Sequence, residues 1–321
     1  MIMTMTRKLL TALMLAATLT ATAQAQSFGI GTAGGGSSTY SIGAAIANVI
    51  SNATGDQYLV QPYGGTGRVM PLVNSGRTDF GLANILEVSN AYNGVGDFQG
   101  HEHPDLRVVA VLYPFDVGLF VREDAEYQSI NDIKGARISS GYSGQRIIGE
   151  LIDAALANAD LTMDDMRAVP TTNLLSNADD FTAGRTDVGF FALGSGKLDE
   201  VNASVGGIRF LPFNIDAEAQ ARMQALMPQT YVRVVQPRDN LTGLKKPAPM
   251  MAYDYILYAG KHVDDDAVYR LVEGLIEHRQ ALADNYANLS RLEPRKMAKN
   301  VRLPYHPGAI RYYQEHDLWS R

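Results

Sequence analysis

Gly31-Thr-Ala-Gly-Gly-Gly-Ser-Ser-Thr-Tyr40 is the stretch whose reading decides the fold. A β-prone segment, Ser27-Phe-Gly-Ile30, precedes it. Apolar residues follow at Ile42, Ala45, Ile46, Val49 and Ile50, the stripe of an amphipathic helix. The chain therefore reads strand, glycine loop, helix N-terminus. Free backbone N–H groups and the positive end of the helix dipole meet at such a junction, which favours an anion. The glycines allow a ligand to approach the backbone closely, and Ser37, Ser38 and Thr39 either cap the helix or donate to a ligand. Read literally, Gly29-x-Gly31-x-x-Gly34 also matches the dinucleotide fingerprint.

The residues upstream argue against a dinucleotide. Arg7 and Lys8 form a positive start, Leu9 to Leu19 is a short apolar run, and Ala23-Gln-Ala25 fits a small-x-small cleavage site. Residues 1–25 are therefore expected to be an export signal cut near Ala25. The mature protein is expected to be soluble and periplasmic, where nicotinamide and adenine nucleotides are scarce. Removing 25 of 321 residues leaves 296, enough for two domains. The loss of Arg7 and Lys8 takes the formal charge from −6 to −8. A net-acidic chain without basic clusters is a poor nucleic-acid binder, so any anion must be held by local groups. The sequence has no cysteine, which excludes thiol catalysis and Cys-ligated zinc. His101 and His103 sit in a polar loop without a third ligand at clear spacing. No Gly-x-Ser-x-Gly elbow is present, and no cofactor or metal is expected.

Further along, Tyr58-Leu-Val-Gln61 reads as a strand ending in a second glycine turn, Gly64-Gly-Thr-Gly67. A short helix after it is closed by Gly76. Leu106 to Tyr113 and Val117 to Val121 read as two strands separated by Pro114, where the chain passes from one domain to the next. Met250 to Tyr258 reads as the strand that returns, and a long helix is expected from Asp264 to Ala283. A third glycine loop, Ser140-Gly-Tyr-Ser-Gly-Gln-Arg146, opens a helix with an apolar face. The sequence also repeats itself. Ser75-Gly-Arg-Thr-Asp-Phe-Gly-Leu-Ala83 resembles Ala183-Gly-Arg-Thr-Asp-Val-Gly-Phe-Phe191, each about 40 residues after a glycine loop that opens a helix. Two α/β lobes of one plan, each aiming glycine loops at a shared cleft, account for this.

Together these motifs resemble the TAXI proteins (TRAP-associated extracytoplasmic immunogenic), the solute-binding subunits of one branch of tripartite ATP-independent periplasmic (TRAP) transporters. The matching stretches are Gly31 to Tyr40, Gly64-Gly-Thr66, Leu72 to Asp79, Ala91-Tyr-Asn-Gly94, Ile130 to Gly135, Ser143-Gly144 and His306-Pro-Gly-Ala-Ile-Arg-Tyr312. The resemblance implies an α/β fold of the two-lobed periplasmic binding protein type (type II-like). Two similar parallel or mixed-sheet lobes would be joined by a hinge, residues 26–112 plus 250–321 forming one and 113–249 the other. It also implies a monomer that captures a small acid such as glutamate or 2-oxoglutarate and delivers it to a TRAP membrane permease, without catalysis or membrane insertion. An ABC-type or sensor-coupled receptor is the alternative, and an exported hydrolase a more distant one.

The candidate ligand contacts follow from the loops. Gly36, Ser37, Thr39 and Tyr40 would act from the first loop, with capping as the competing role. Gly65, Thr66 and Asn84 lie at strand ends, where turn chemistry competes. Ser143, Gly144 and Gln145 would act from the second lobe. Arg68 and Arg146 are the candidate carboxylate partners, because a guanidinium fork pairs both oxygens, although either also fits a solvated helix face. Arg68 stands where the family often has an acid, and Arg146 follows a Ser-Gly-Gln that replaces the usual Ser-Gly-Thr. Both changes favour a dicarboxylate or keto acid over a zwitterion. Strand alternation would turn one of Phe190 and Phe191 to the core and the other to the pocket. Tyr113 and Tyr231 lie near the crossings and either pack or line the cleft.

Overall fold

One order of elements occurs twice. In the computed structural model, which describes residues 26–35, 37–143 and 145–319, the first series is β1 (Ser27–Ala33), α1 (Ser38–Thr54), β2 (Gln57–Tyr63), α2 (Thr66–Asn74), β3 (Phe80–Asn84) and α3 (Ile85–Asn93). The long strand β4 (Leu106–Arg122) follows. The second series is β5 (Arg137–Ser140), α4 (Arg146–Asn158), β6 (Arg167–Pro170), α5 (Leu174–Thr182), β7 (Gly189–Ala192) and α6 (Gly196–Val205). Then come β8 (Ile208–Phe210), α7 (Ala217–Leu226), β9 (Tyr231–Val235), β10 (Ala248–Gly260) and α8 (Asp265–Glu277). Short helical turns lead to a last helix, Pro307–Glu315. The expected export signal, Gly36 and Gly144 lie outside the described residues. Among those residues no helix is long and apolar enough to cross a membrane.

In the first lobe β1 pairs in parallel with β2 and β3, and β3 runs antiparallel to β10. In the second, β5 pairs in parallel with β6 and meets the start of β7 through an Ile138–Val188 bridge. β7 runs antiparallel to β4. Helices pack their apolar stripes on these sheets; α1 buries Ile42, Ala45, Ile46, Val49 and Ile50, the residues whose spacing announced it. Gly43 lets α1 approach β1, since a Cβ there would lie 2.8 Å from the Thr32 methyl.

The repeated Gly-Arg-Thr-Asp segment does the same work in each lobe. Gly76 and Gly184 take positive φ, and each closes its helix with a paired 5→2 and 6→1 turn. The bonds are Gly76 N–H to Val73 O and Arg77 N–H to Leu72 O in one lobe, and Gly184 N–H to Phe181 O and Arg185 N–H to Asp180 O in the other. The aspartates then reach back 50 residues to the first strand of their own lobe. Asp79 Oδ2 accepts from Gly29 N–H at 2.8 Å, and Asp187 Oδ2 from Arg137 N–H at 2.8 Å. Helix α2 and its counterpart α5 are both nine residues long. The repeat seen in sequence is thus one part of a duplicated βαβαβ unit.

Two sequence expectations change. Pro114 does not divide the run Leu106–Val121: β4 is continuous, with Pro114 opposite Asp254 of β10. Proline lacks a ladder donor and is tolerated where a strand has one neighbour. At Pro114 the recorded partner is β10 alone, because the pairing with β7 begins at Val117. The long helix from Asp264 ends at Glu277, and a separate short helix, Arg279–Asn285, follows the non-helical His278.

Because the two aspartates anchor separate lobes, Asp79→Ala and Asp187→Ala should each lower unfolding free energy by about 1–3 kcal/mol, the scale of a lost charge-assisted bond. The double variant should show the sum of the two losses. Urea denaturation measures this; a loss under about 0.5 kcal/mol for either variant would reduce that aspartate to an ordinary surface position.

Candidate functional site

Parallel strands followed by helices place every helix start at the carboxyl end of a strand, and in open α/β sheets that is where ligands bind. Here six helix starts, three from each lobe, border one cavity of about 530 Å³. The first lobe contributes Ser37, Ser38 and Thr39 at α1, Thr66 at α2, and Asn84 with Glu87 at α3. The second contributes Gln145 with Ile147 at α4, Leu174 at α5, and Ser195 with Gly196 at α6. The first-turn N–H groups of a helix lack intrahelical acceptors, so such starts carry partial positive charge.

The floor comes from the two strands that pass between the lobes. Alternation turns Phe115 and Val117 of β4 and Tyr253 and Tyr255 of β10 toward the cavity. The rings pack on one another: Phe115 lies 4.9 Å from Tyr255, edge to face, and 5.5 Å from Tyr253. Tyr286 and Asn288 close one side. Ile147, Ile148, Leu151 and Leu174 make an apolar wall in the second lobe.

The hydroxyls of the first loop hold the loop itself. Ser37 Oγ caps α1 by accepting from Tyr40 N–H at 3.1 Å, and Thr39 Oγ1 accepts from Ala33 N–H at 3.0 Å. The two hydroxyls are 3.1 Å apart. From the other side, the Gln145 Oε1 accepts from Leu174 N–H at 3.0 Å, which ties the α4 start to the α5 start.

One ionisable carboxyl enters the cavity. Glu87 is the third residue of α3, half-buried, and its Oε2 accepts from Thr66 Oγ1 and from Asn84 Nδ2, both at 2.8 Å. Asn84 Oδ1 in turn accepts from Glu87 N–H at 2.9 Å. The packed surroundings push the Glu87 carboxyl above its ordinary value; the Thr66 and Asn84 bonds oppose this and the charge of Asp97 adds to it. Among the described residues the lining contains no lysine, arginine or histidine.

A model of the NMT1-like family matches residues 30–316. The chain belongs to the NMT1-like family. Solved structures with a similar fold include a TctC solute binding protein from Polaromonas (13% identity, 92% of this chain and 97% of that one, TM-score 0.57). Others are the periplasmic sulfonate-binding protein SsuA from Methylobacillus flagellatus KT (15%, 92% and 97%, 0.54) and the periplasmic aliphatic sulphonate binding protein SsuA from Escherichia coli (13%, 92% and 89%, 0.53). The fold of this NMT1-like chain is the α/β two-lobed periplasmic binding protein fold.

Of the residues singled out from sequence, Ser37, Thr39, Thr66, Asn84, Gln145, Phe190 and Phe191 line the cavity together. Both phenylalanines do so, against the expected split, because the cavity lies beyond the end of β7 and meets the chain edge-on from Phe190 to Gly196. Arg68 and Arg146 do not line it. Arg68 is exposed on α2 beside Gly64, opposite the buried Val69, Met70 and Val73. Arg146 is exposed at the start of α4, whose cavity-facing residues are Ile147, Ile148 and Leu151. Tyr40, Gly65 and Ser143 also fall outside the lining. Tyr113 is buried beneath the floor, stacked at 5.7 Å on Tyr255, and the Tyr231 hydroxyl donates to Asp254 at 2.8 Å.

Sequence reasoning about this NMT1-like chain missed Glu87, the floor tyrosines and Ser195. Asn84-x-x-Glu87 after a buried strand was the available signal for the first, since it is a helix-start pattern. Tyr253-x-Tyr255 on the returning strand was the signal for the second.

Glu87 gives a pH prediction. With its pKa raised in the folded state, the folded protein binds more protons than the unfolded chain above the ordinary Glu value, so stability falls as pH rises through that range. Glu87→Gln keeps an acceptor for both bonds and should raise the Tm of the ligand-free protein at pH 7. The gain should shrink toward zero near about pH 4, where free glutamate protonates. Calorimetric melting across pH measures it; a Tm that falls at pH 7 would contradict the assignment.

Proposed function

We propose that this chain is a periplasmic solute-binding protein that closes its two lobes on a small organic acid and delivers it to a membrane permease of the TRAP type. The observation that carries this reading is the convergence of six helix starts, three per lobe, on one cavity of about 530 Å³ between the lobes. A ligand there touches both lobes at once, so it binds the closed arrangement better than the open one and shifts the population toward it. Membership of the NMT1-like family and the fold shared with sulfonate-binding and TctC solute-binding proteins support the class of function. The TAXI-like motifs that run through nearly the whole chain support the TRAP partner. The likeness to a sulfonate-binding protein of an ABC transporter favours a second reading, delivery to an ATP-driven permease. The genes beside this one discriminate: a large multi-span permease without an ATPase supports TRAP.

The ligand carboxylate is seated by first-turn N–H groups and loop donors at α1 and α6 rather than by arginine. Such sites neutralise a small anion without a cationic side chain. Ser37, Thr39, Thr66, Asn84, Gln145, Phe190 and Phe191 are the proposed contacts.

A thermal-shift screen of the signal-free protein against amino acids, keto acids, C4-dicarboxylates, sulfonates and neutral sugars tests the reading. A true ligand at a hundred times its Kd adds about 2.7 kcal/mol of stability, a shift of several degrees. A selective shift with one class of acid is expected. No shift with any acid, from protein whose native mass shows no carried solute, would overturn it. Arg68→Ala and Arg146→Ala should each change Kd by less than about threefold, the scale of an exposed charge; a loss above tenfold would return that arginine to the site.

A further inference from the structure

We infer that the captured solute carries an ammonium group that seats against Glu87 and the ring floor, and an apolar side group: a zwitterionic amino acid of the leucine type. This rests on the solute-binding reading above and narrows its ligand.

Three features of the cavity carry the inference. The first is charge. Among the described residues Glu87 is the one carboxylate in the lining, and no lysine, arginine or histidine lines the cavity with it. Both bonds the carboxyl accepts fall on Oε2, which leaves Oε1 available to a ligand donor. Glu87 also lines a second gap, of about 60 Å³, with Asp97 of the first lobe and Glu150 of the second, and the Arg146 guanidinium offsets Glu150 alone, so the charge beside Glu87 at this end is net negative. The phenols of Tyr253, Tyr255 and Tyr258 are the other titratable groups near Glu87, and burial drives all three above their ordinary range. They carry no positive charge at neutral pH. A second ligand carboxylate at this end would face like charge in a poorly solvated space, whereas an ammonium offers three donors and neutralises the site.

The second is the floor. Phe115, Tyr253, Tyr255 and Tyr286 present rings to the same cavity, and aromatic faces attract a cation held over them. The third is the opposite wall, where Ile147, Ile148, Leu151, Leu174, Phe190 and Phe191 offer only hydrocarbon. A charged ligand side group would lose its hydration there with only the neutral Gln145 and Ser195 beside it, while an apolar one gains from burial.

Calorimetric titration decides this with matched pairs: leucine against 4-methyl-2-oxopentanoate, and glutamate against 2-oxoglutarate. Each pair differs at the nitrogen, and the two amino acids differ in the side group. With the wild-type protein, leucine should bind more than about tenfold tighter than its 2-oxo analogue and than glutamate, the scale of one charge-assisted contact. In Glu87→Gln, shown folded by its melting curve, the preference of leucine over the 2-oxo acid should disappear.

The wild-type comparison needs no variant and stands if Glu87→Gln fails to fold. A 2-oxo acid that binds as well as leucine, or better as pH falls, would make Glu87 a neutral donor to an anion and overturn the inference. So would tightest binding of glutamate or 2-oxoglutarate, or a Glu87→Gln protein that keeps the preference. In each of these cases the solute-binding reading survives. No binding of any of the four overturns the inference as well, and the broader screen then decides the reading beneath it.

Discussion

The antiparallel ladder between β4 and β10 runs from Leu106 opposite Gly260 to Val117 opposite Met251, and one strand from each lobe's series, β3 and β7, hydrogen-bonds to one of its members. β3 attaches to β10 and β7 to β4, so the eight-stranded sheet passes from lobe to lobe through this pair, while β5 and β6 form a separate two-stranded sheet. One side of the ladder is the aromatic floor of the cavity. Residues of the opposite phase carry two buried carboxylates. Asp116 accepts from Arg233 at 2.8 and 3.0 Å and from Arg291 at 2.7 Å; Asp254 is paired with Lys299 and accepts from Tyr231. The Arg291 guanidinium also lies 5.5 Å from the ring centre of Tyr113. Buried carboxylates without partners would be costly, so these pairs fix β9 and the C-terminal segment against the crossing. Register shifts in β10 between Tyr255 and Ile256 and between Leu257 and Tyr258 sit beside the floor rings, where a bulged ladder bends most readily.

The duplicated unit accounts for how a chain of net negative charge would hold the proposed anion without arginine. Each βαβαβ unit delivers three helix starts to its strand ends, and the two units meet across the ladder. The partial charges of those starts belong to the backbone, so they persist whatever side chains the surface carries. The side chains at the starts have mostly local duties. Ser37, Thr39, Asn84 and Gln145 each satisfy a backbone N–H of a loop or helix. This holds the first turns in place before a ligand arrives, so little ordering entropy remains to be lost on binding.

Much of this architecture was legible because it is local. A glycine loop before an apolar stripe fixes a strand-to-helix turn within ten residues, and Gly-Arg-Thr-Asp fixes a helix end together with the strand that follows. The glycine loop occurs three times and Gly-Arg-Thr-Asp twice, and in the structure each loop opens a helix and each Gly-Arg-Thr-Asp ends one. Pro114 was misread because its consequence depends on how many neighbours β4 has at that point, which is a property of the assembled sheet. The arginines were misplaced for a related reason. Arg146 lies one residue from Gln145 and Ile147 and Arg68 two from Thr66, yet each step of one residue on a helix turns the side chain by about 100°, enough to move it off the face. The cavity floor was invisible because Phe115 and Tyr255 are far apart in the chain and meet only through the register of the ladder.

Glu87 shows why a residue can be hidden in plain view. As the third residue after Asn84 it fits a helix-start pattern in which glutamate and glutamine serve equally well. Either side chain could accept from Thr66 and Asn84, so capping alone does not select the acid. The acid carries a cost that the amide lacks, because the enclosed carboxyl has its charged form disfavoured and Asp97 adds to the effect. A local rule is satisfied here by the option whose charged form the surroundings disfavour, in the wall of the cavity bordered by helix starts of both lobes. Stability surrendered at a binding surface is ordinary where the missing partner arrives with the ligand. The ligand proposed above is the complement of what the wall provides: a positive group at Glu87, a negative group at the helix starts, and hydrocarbon toward the second lobe.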